Sequence, residues 1–238
     1  MNMKKVFVML CSVLFITACG SDNDTPSLEE QEQTLYDTYV TAEMESAIAK
    51  LDMTVNRGIN PPKIEGYYRM EGIFLATTNS AEKKYLGSRF NTDYKFNFYN
   101  QSELSVDLLG YEVIRDTDEL DSEHRGQGTF ICGEGDKFSI FMEERHFSDG
   151  YTAISLTILS GEVVRNGGSI TGIKNLKYAF IMKDRGGDTS LIQVGQGRIV
   201  GNDLAQVITK KQFETLEQPT RLKSDNSDFG ISFLSNFK

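Results

Sequence analysis

The chain has two histidines, His124 and His146, and each has a carboxylate close in sequence, Glu123 and Glu144. A histidine beside a carboxylate is the usual apparatus of general acid–base chemistry. Both histidines, however, fall at predicted strand ends among charged residues, where a solvated imidazole has no catalytic task. No Gly-x-Ser-x-Gly turn occurs to carry a hydrolase nucleophile, and no His-Glu-x-x-His or paired Cys-x-x-Cys offers a zinc site. Gly195-Gln196-Gly197 and Gly201 lie inside or at the end of a predicted strand, with no helix following to aim its N–H groups at phosphate. They read as strand bends or bulges. Residues 116–123 (Asp116 to Glu123) form the densest acidic run. A hard cation such as Ca²⁺ wants several such oxygens on one loop, but the EF-hand glycine and closing glutamate are missing, so the run reads as a solvated loop. The expectation is a non-enzyme with no catalytic residue, no metal ligand and no cofactor. Tyr99 and Phe141, on faces expected to be exposed, are the aromatics suited to a glycan or protein contact surface.

Cysteine is the remaining reactive type. Cys11 falls within Val6 to Thr17, an uncharged run preceded by Lys4 and Lys5. That run is too short for the roughly 20 residues of a membrane-spanning helix and has the form of a signal-peptide core. It leads into Ile16-Thr17-Ala18-Cys19-Gly20, which resembles the lipobox of bacterial lipoproteins: a branched residue, two smaller ones, then cysteine. The resemblance covers this segment alone. It implies that Cys19 takes a diacylglycerol, that cleavage removes residues 1–18, and that the acyl chains anchor the mature chain, at about 0.8 kcal/mol per buried methylene. The alternative is a plain secretory signal with an incidental cysteine. Gly20 stands where an aspartate would resemble an inner-membrane retention signal. Ser21-Asp22-Asn23-Asp24 resembles the acidic tag that sends lipoproteins of the Bacteroidota to the cell surface, or is a simple solvated tether. The implied destination is the outer membrane, with exposure at the cell surface left open.

Cleavage before Cys19 leaves 220 of the 238 residues and removes two lysines and no acid, which takes the net charge from −9 to −11. That length suits one core, and the acidic balance argues against nucleic acid or anionic headgroups as partners. Cys132 becomes the one other mature cysteine, so no disulfide can form within the mature chain. It sits in Thr129-Phe130-Ile131-Cys132 and reads as a small buried strand residue. Stability then rests on an apolar core, for which there are 15 Phe, 10 Tyr and no Trp.

Stepping along the chain, residues 19–27 form a polar tether. Ser27-Leu28-Glu29-Glu30 has capping-box spacing, and Val40, Met44, Ala47, Ile48, Leu51 and Val55 share one stripe of a helix over roughly residues 28–55. Gly58 and Pro61-Pro62 stop it, giving a helical unit of 28–58. The stripe packs on its own domain or offers a partner-binding face.

From Ile64 the apolar period changes to two, as in Tyr94-Phe96-Phe98, Phe138-Ile140-Met142, Ile154-Leu156-Ile158 and Leu176-Tyr178-Phe180-Met182. Glu134-Gly135, Asp149-Gly150, Asn166-Gly167, Gly186-Gly187 and Gly201-Asn202 supply hairpin turns. Long strands in sequential hairpins, about eight to ten in number over residues 59–238, must bury one face and hide two edges. An up-and-down barrel does both. An open sheet wrapped on the helix is the alternative, and a sandwich the next. Phe229 to Leu234 would be a last docked strand.

This pattern is similar to the calycin superfamily, which includes the lipocalins. Ile64-Glu65-Gly66-Tyr67-Tyr68 stands where lipocalins open with Gly-x-Trp, although no Trp is present. The segment from Asn60 to Tyr68 also resembles one in uncharacterised lipoproteins of gut Bacteroidota. Neither resemblance carries over a catalytic residue. The resemblance implies a barrel that holds a small apolar or amphipathic ligand. The other readings are a solid-cored surface scaffold with an envelope protein partner and, weakest, an enzyme using His146 or the acidic loop.

Overall fold

A computed structural model describes residues 25–148 and 151–217. Cys19 with its flanks, the Asp149-Gly150 turn and Phe229 to Leu234 lie outside the described residues.

Eight antiparallel strands close into an up-and-down barrel, each pairing with its neighbour in sequence and the last with the first. They are β1 (Gly66–Thr77), β2 (Arg89–Ser102), β3 (Ser105–Ile114), β4 (Leu120–Glu134), β5 (Lys137–Ser148), β6 (Tyr151–Asn166), β7 (Ser169–Asp184) and β8 (Gly197–Val207). Closure leaves no unpaired edge strand, so no further strand is needed to protect one. Glu134-Gly135 and Asn166-Gly167 form hairpin turns as expected, with both Gly135 and Gly167 at positive φ. Gly201-Asn202 does not turn: both residues run inside β8. Gly201 is there for another reason. A Cβ on it would stand 2.3 Å from the Leu176 carbonyl oxygen, so the glycine lets β7 and β8 approach closely.

The helical stripe resolves into α1 (Leu28–Tyr39) and α2 (Ala42–Lys50). Ser27 and Glu30 form the reciprocal capping box that begins α1. The chain breaks at Val40 because Thr41 takes extended geometry (φ −71°, ψ 165°) and caps α2 by accepting from the Met44 N–H. Both helices lie on the outside of the barrel. Val40, Met44, Ala47, Ile48 and Leu51 pack with Phe130, Phe141, Leu156, Ile158 and Ile181 of β4–β7. Packing against its own domain is therefore what the stripe does. Arg57 fastens α1 by donating to both oxygens of the buried Glu32, at 2.5 Å each, while its guanidinium lies 3.7 Å above the Tyr36 ring.

A short helix, α3 (Lys210–Glu214), covers the outer face of β1–β3. Phe213 is buried there between Tyr67 and Tyr111. Beside it the buried Lys95 ammonium donates to Asp118 and to the carbonyls of Gln212 and Thr215.

The two barrel ends are closed differently. At one, Ile64 is fully buried in the interior and its segment is held by Gln101, which accepts from the Ile64 N–H and donates to the Pro62 carbonyl. Tyr68, two residues after Gly66, is buried, and its hydroxyl donates to the Ile64 carbonyl. At the other end a 3-10 helix (Ser80–Tyr85) brings Glu82 onto Arg198 of β8, an ion pair with both side chains under 5% exposed.

Candidate functional site

The barrel interior is lined by all eight strands and filled with large side chains. Tyr68, Phe74, Tyr94, Phe96, Phe98, Phe138, Tyr178 and Phe180 are each at most 2% exposed. Their rings touch in sequence, Phe98 on Phe96 at 6.0 Å between centroids, Phe96 on Tyr94 at 6.2 Å, and Tyr94 on Tyr178 at 5.5 Å.

Among these rings sits a polar cluster that strand periodicity puts there. His124 and Ser122 share the inward face of β4, Glu112 that of β3, and Glu144 and His146 continue the Phe138-Ile140-Met142 face of β5. Ser155 and Thr157 come from β6. The histidines are not solvated strand-end residues: His124 is 5% and His146 7% exposed. The expected partner of His124 is corrected too. Glu123 points outward and pairs with Arg125, whereas His124 Nδ1 meets Glu144 Oε1 at 2.8 Å, 20 residues on. His124 Nε2 faces Ser122 Oγ at 3.2 Å and Glu112 Oε1 at 3.4 Å. The second Glu144 oxygen accepts from Thr157 and, at 3.2 Å, from Tyr178. His146 Nε2 lies 2.9 Å from Ser155 Oγ. Gly110 makes this fit, since a Cβ on it would crowd both Phe96 and His124 at 3.3–3.4 Å.

Burial alone would depress the His124 pKa, but the charge of Glu144 and the hydrogen bonds to Glu112 and Glu144 outweigh it and lift it to about 10. Burial alone would raise Glu144; the His124 charge and hydrogen bond, then His146 and Thr157, bring it to about 2. The two therefore form a charged pair at neutral pH. Such a pair orders the surrounding hydroxyls, and the walls of Tyr94, Tyr178 and Phe180 leave it facing protein. The β6 face was misjudged from sequence for an instructive reason. Ile154-Leu156-Ile158 is the apolar alternate set, yet Leu156 and Ile158 face outward under the helices while Ser155 and Thr157 face the cluster. Alternation reveals two faces; it does not say which is inside when both are covered.

The other sequence candidates disperse. Phe141 is not exposed: it is fully buried under α1, edge-on to Tyr36 at 5.6 Å. Cys132 is buried on the same outer face, and burial pushes its thiol up to about 12, so it stays protonated and unreactive. Within the acidic run, Asp118 binds Arg69 and Lys95, and Leu120 onward enters β4. Among the described residues no group of three or more His, Cys, Asp or Glu is placed to hold a metal ion.

Two surface clefts lie among the described residues. One, of about 520 Å³, lies along the β1–β8 seam and is lined by Arg69, Glu71, Arg89, Asp93, Arg115 and Asn202 with Ile73, Asp203, Leu204 and Gln206. Another, of about 310 Å³, lies at the margin of the helical cover beside Asn56, Lys137, Ser160 and Lys177.

No protein family, curated protein or solved structure matches the chain. The closed eight-stranded architecture is compatible with the calycin type.

Proposed function

We propose that this chain is a non-catalytic binding protein of the bacterial cell envelope, held in the outer membrane through Cys19, that engages its ligand or protein partner on the outside of a packed barrel. One observation carries the reading: the interior is occupied by contacting aromatic rings, and the Glu144 carboxylate among them is taken up by His124, Thr157 and Tyr178. A ligand inside would have to displace Tyr94, Phe96 or Tyr178 and break the His124–Glu144 pair. The same sealing supports a non-enzyme, since general acid–base groups act only within hydrogen-bond reach of a substrate proton. Anchoring rests on the lipobox resemblance of Ile16 to Gly20.

Crosslinking in intact cells tests it, with a photoreactive group at the exposed Leu204 or at Tyr99. Adducts with envelope components are expected. Recovery of monomer alone, or native mass spectrometry that finds an apolar molecule co-purifying inside the barrel, would overturn it.

A further inference from the structure

The β1–β8 seam is the one joint between strands distant in sequence, and its ladder is interrupted. Pairing holds at Arg69↔Gln206, then resumes at Ile73↔Gly201, so three residues of β1 face four of β8 across the break. On the other side of β1 the register with β2 also slips between Glu71 and Ile73. The 520 Å³ cleft opens on the outer surface at this double irregularity, a volume within the roughly 300–1,000 Å³ of small-molecule sites.

Its chemistry is mixed and balanced. Arg69, Arg89 and Arg115 are matched by Glu71, Asp93 and Asp203, so the lining favours neither anion nor cation. Arg69 is held rigid, its Nε and Nη2 on Asp93 Oδ2 at 3.1 and 3.0 Å and its Nη1 on Asp118 at 2.9 Å. Two acceptors are left over. Asp93, 3% exposed, has a buried Oδ1 with no hydrogen-bond donor, Arg89 Nη2 standing off at 3.5 Å; Asn202 Oδ1 is likewise buried without a donor. Unsatisfied buried acceptors are costly, about 1–3 kcal/mol each. Guanidinium donors beside orphaned acceptors match a group that both donates and accepts, and a hydroxyl does this while a carboxylate or ammonium does not. Ile73 and the exposed Leu204 add apolar surface for C–H faces.

We infer that the seam cleft binds a neutral polyhydroxylated ligand, a saccharide unit, with its hydroxyls donating to Asp93 Oδ1 and Asn202 Oδ1. This deepens the outer-surface reading above and rests on it. The chain expressed from its full sequence and purified in detergent is applied to an array of neutral and acidic oligosaccharides. Retention of neutral glycans is expected, weakened at least tenfold by Asn202→Leu and by Leu204→Asp. Asn202→Leu removes an orphaned acceptor, and Leu204→Asp changes an exposed side chain at the cleft, so one variant stays informative if the other folds poorly. Retention of acidic glycans only, of none, or of neutral glycans with both folded variants unchanged would overturn the site. Crosslinked envelope partners recovered alongside any of those results would leave the outer-surface reading standing. An apolar molecule inside the barrel would remove that reading instead.

Discussion

Replacing His124 by leucine leaves Glu144 and Glu112 facing each other's neighbourhood with no cation between them. Removing one member of a buried pair typically costs about 3–5 kcal/mol, whereas replacing both by apolar groups is often near neutral. We therefore expect His124→Leu to lower the unfolding free energy by about that amount in urea titrations, and His124→Leu with Glu144→Leu to recover much of it. Equal destabilisation by the single and double variants would contradict the pairing. The pH dependence has a definite sign. The His124 pKa is raised from 6.5 to about 10, so its contribution is full below pH 6.5 and is lost as pH climbs through 10. The Glu144 pKa is lowered from 4.5 to about 2, so its contribution is present above pH 4.5 and is lost as pH falls through 2. The melting-temperature advantage of the native chain over His124→Leu should thus be greatest between about pH 4.5 and 6.5 and shrink toward pH 10. This cluster was half legible. Period two already put Glu144 and His146 in phase with Phe138, Ile140 and Met142, while the meeting of Glu144 with His124 needed the β4–β5 arch to bring residues 20 apart together.

At the scale of elements, the outer helices are held by a few identifiable contacts. Arg57→Ala removes two hydrogen bonds from the buried Glu32 carboxylate and the cation over Tyr36. Hydrogen bonds to charged groups contribute about 1.5–3 kcal/mol. Hydrogen exchange should therefore quicken in the amides of Leu28–Tyr39 with little change in β6 and β7; uniform quickening across the barrel would mean that α1 is not an independent unit. Leu51→Ala, in the layer between α2 and the barrel, should cost about 2–5 kcal/mol. Helix existence and the Ser27 cap were readable from spacing. The break at Val40 was less so, because the apolar stripe runs through it and only Thr41, a good N-cap in an otherwise continuous pattern, marked the second start.

For the whole molecule, the proposed attachment at Cys19 lies outside the folded elements, the first of which is α1 from Leu28, so on that proposal attachment and folding are separable. Cys19→Ala should shift the chain from the membrane to the soluble fraction with the melting temperature of the domain unchanged. A variant that still sediments with membranes would contradict anchoring through Cys19. Closure between β1 and β8 joins segments more than 120 residues apart, across an interrupted ladder. Native-state exchange should accordingly be faster around Met70–Gly72 and Asn202–Ala205 than in the continuous β5–β6 ladder.

Local order decided the elements here: capping at Ser27, period two from Ile64, and glycine turns at Gly135 and Gly167 are each a matter of a few adjacent residues. So, too, was the barrel, because long sequential hairpins with one apolar face have few ways to hide their edges. What only the tertiary structure decided is which faces are inside and what meets there. The helices cover the outside of β4–β7, so both sides of β6 are buried and alternation cannot choose between Leu156 and Thr157. The seam cleft is non-local for the same reason. Arg69, Arg89, Asp93 and Asn202 come from three strands, and nothing in their own neighbourhoods records that closure of the barrel sets them around one opening.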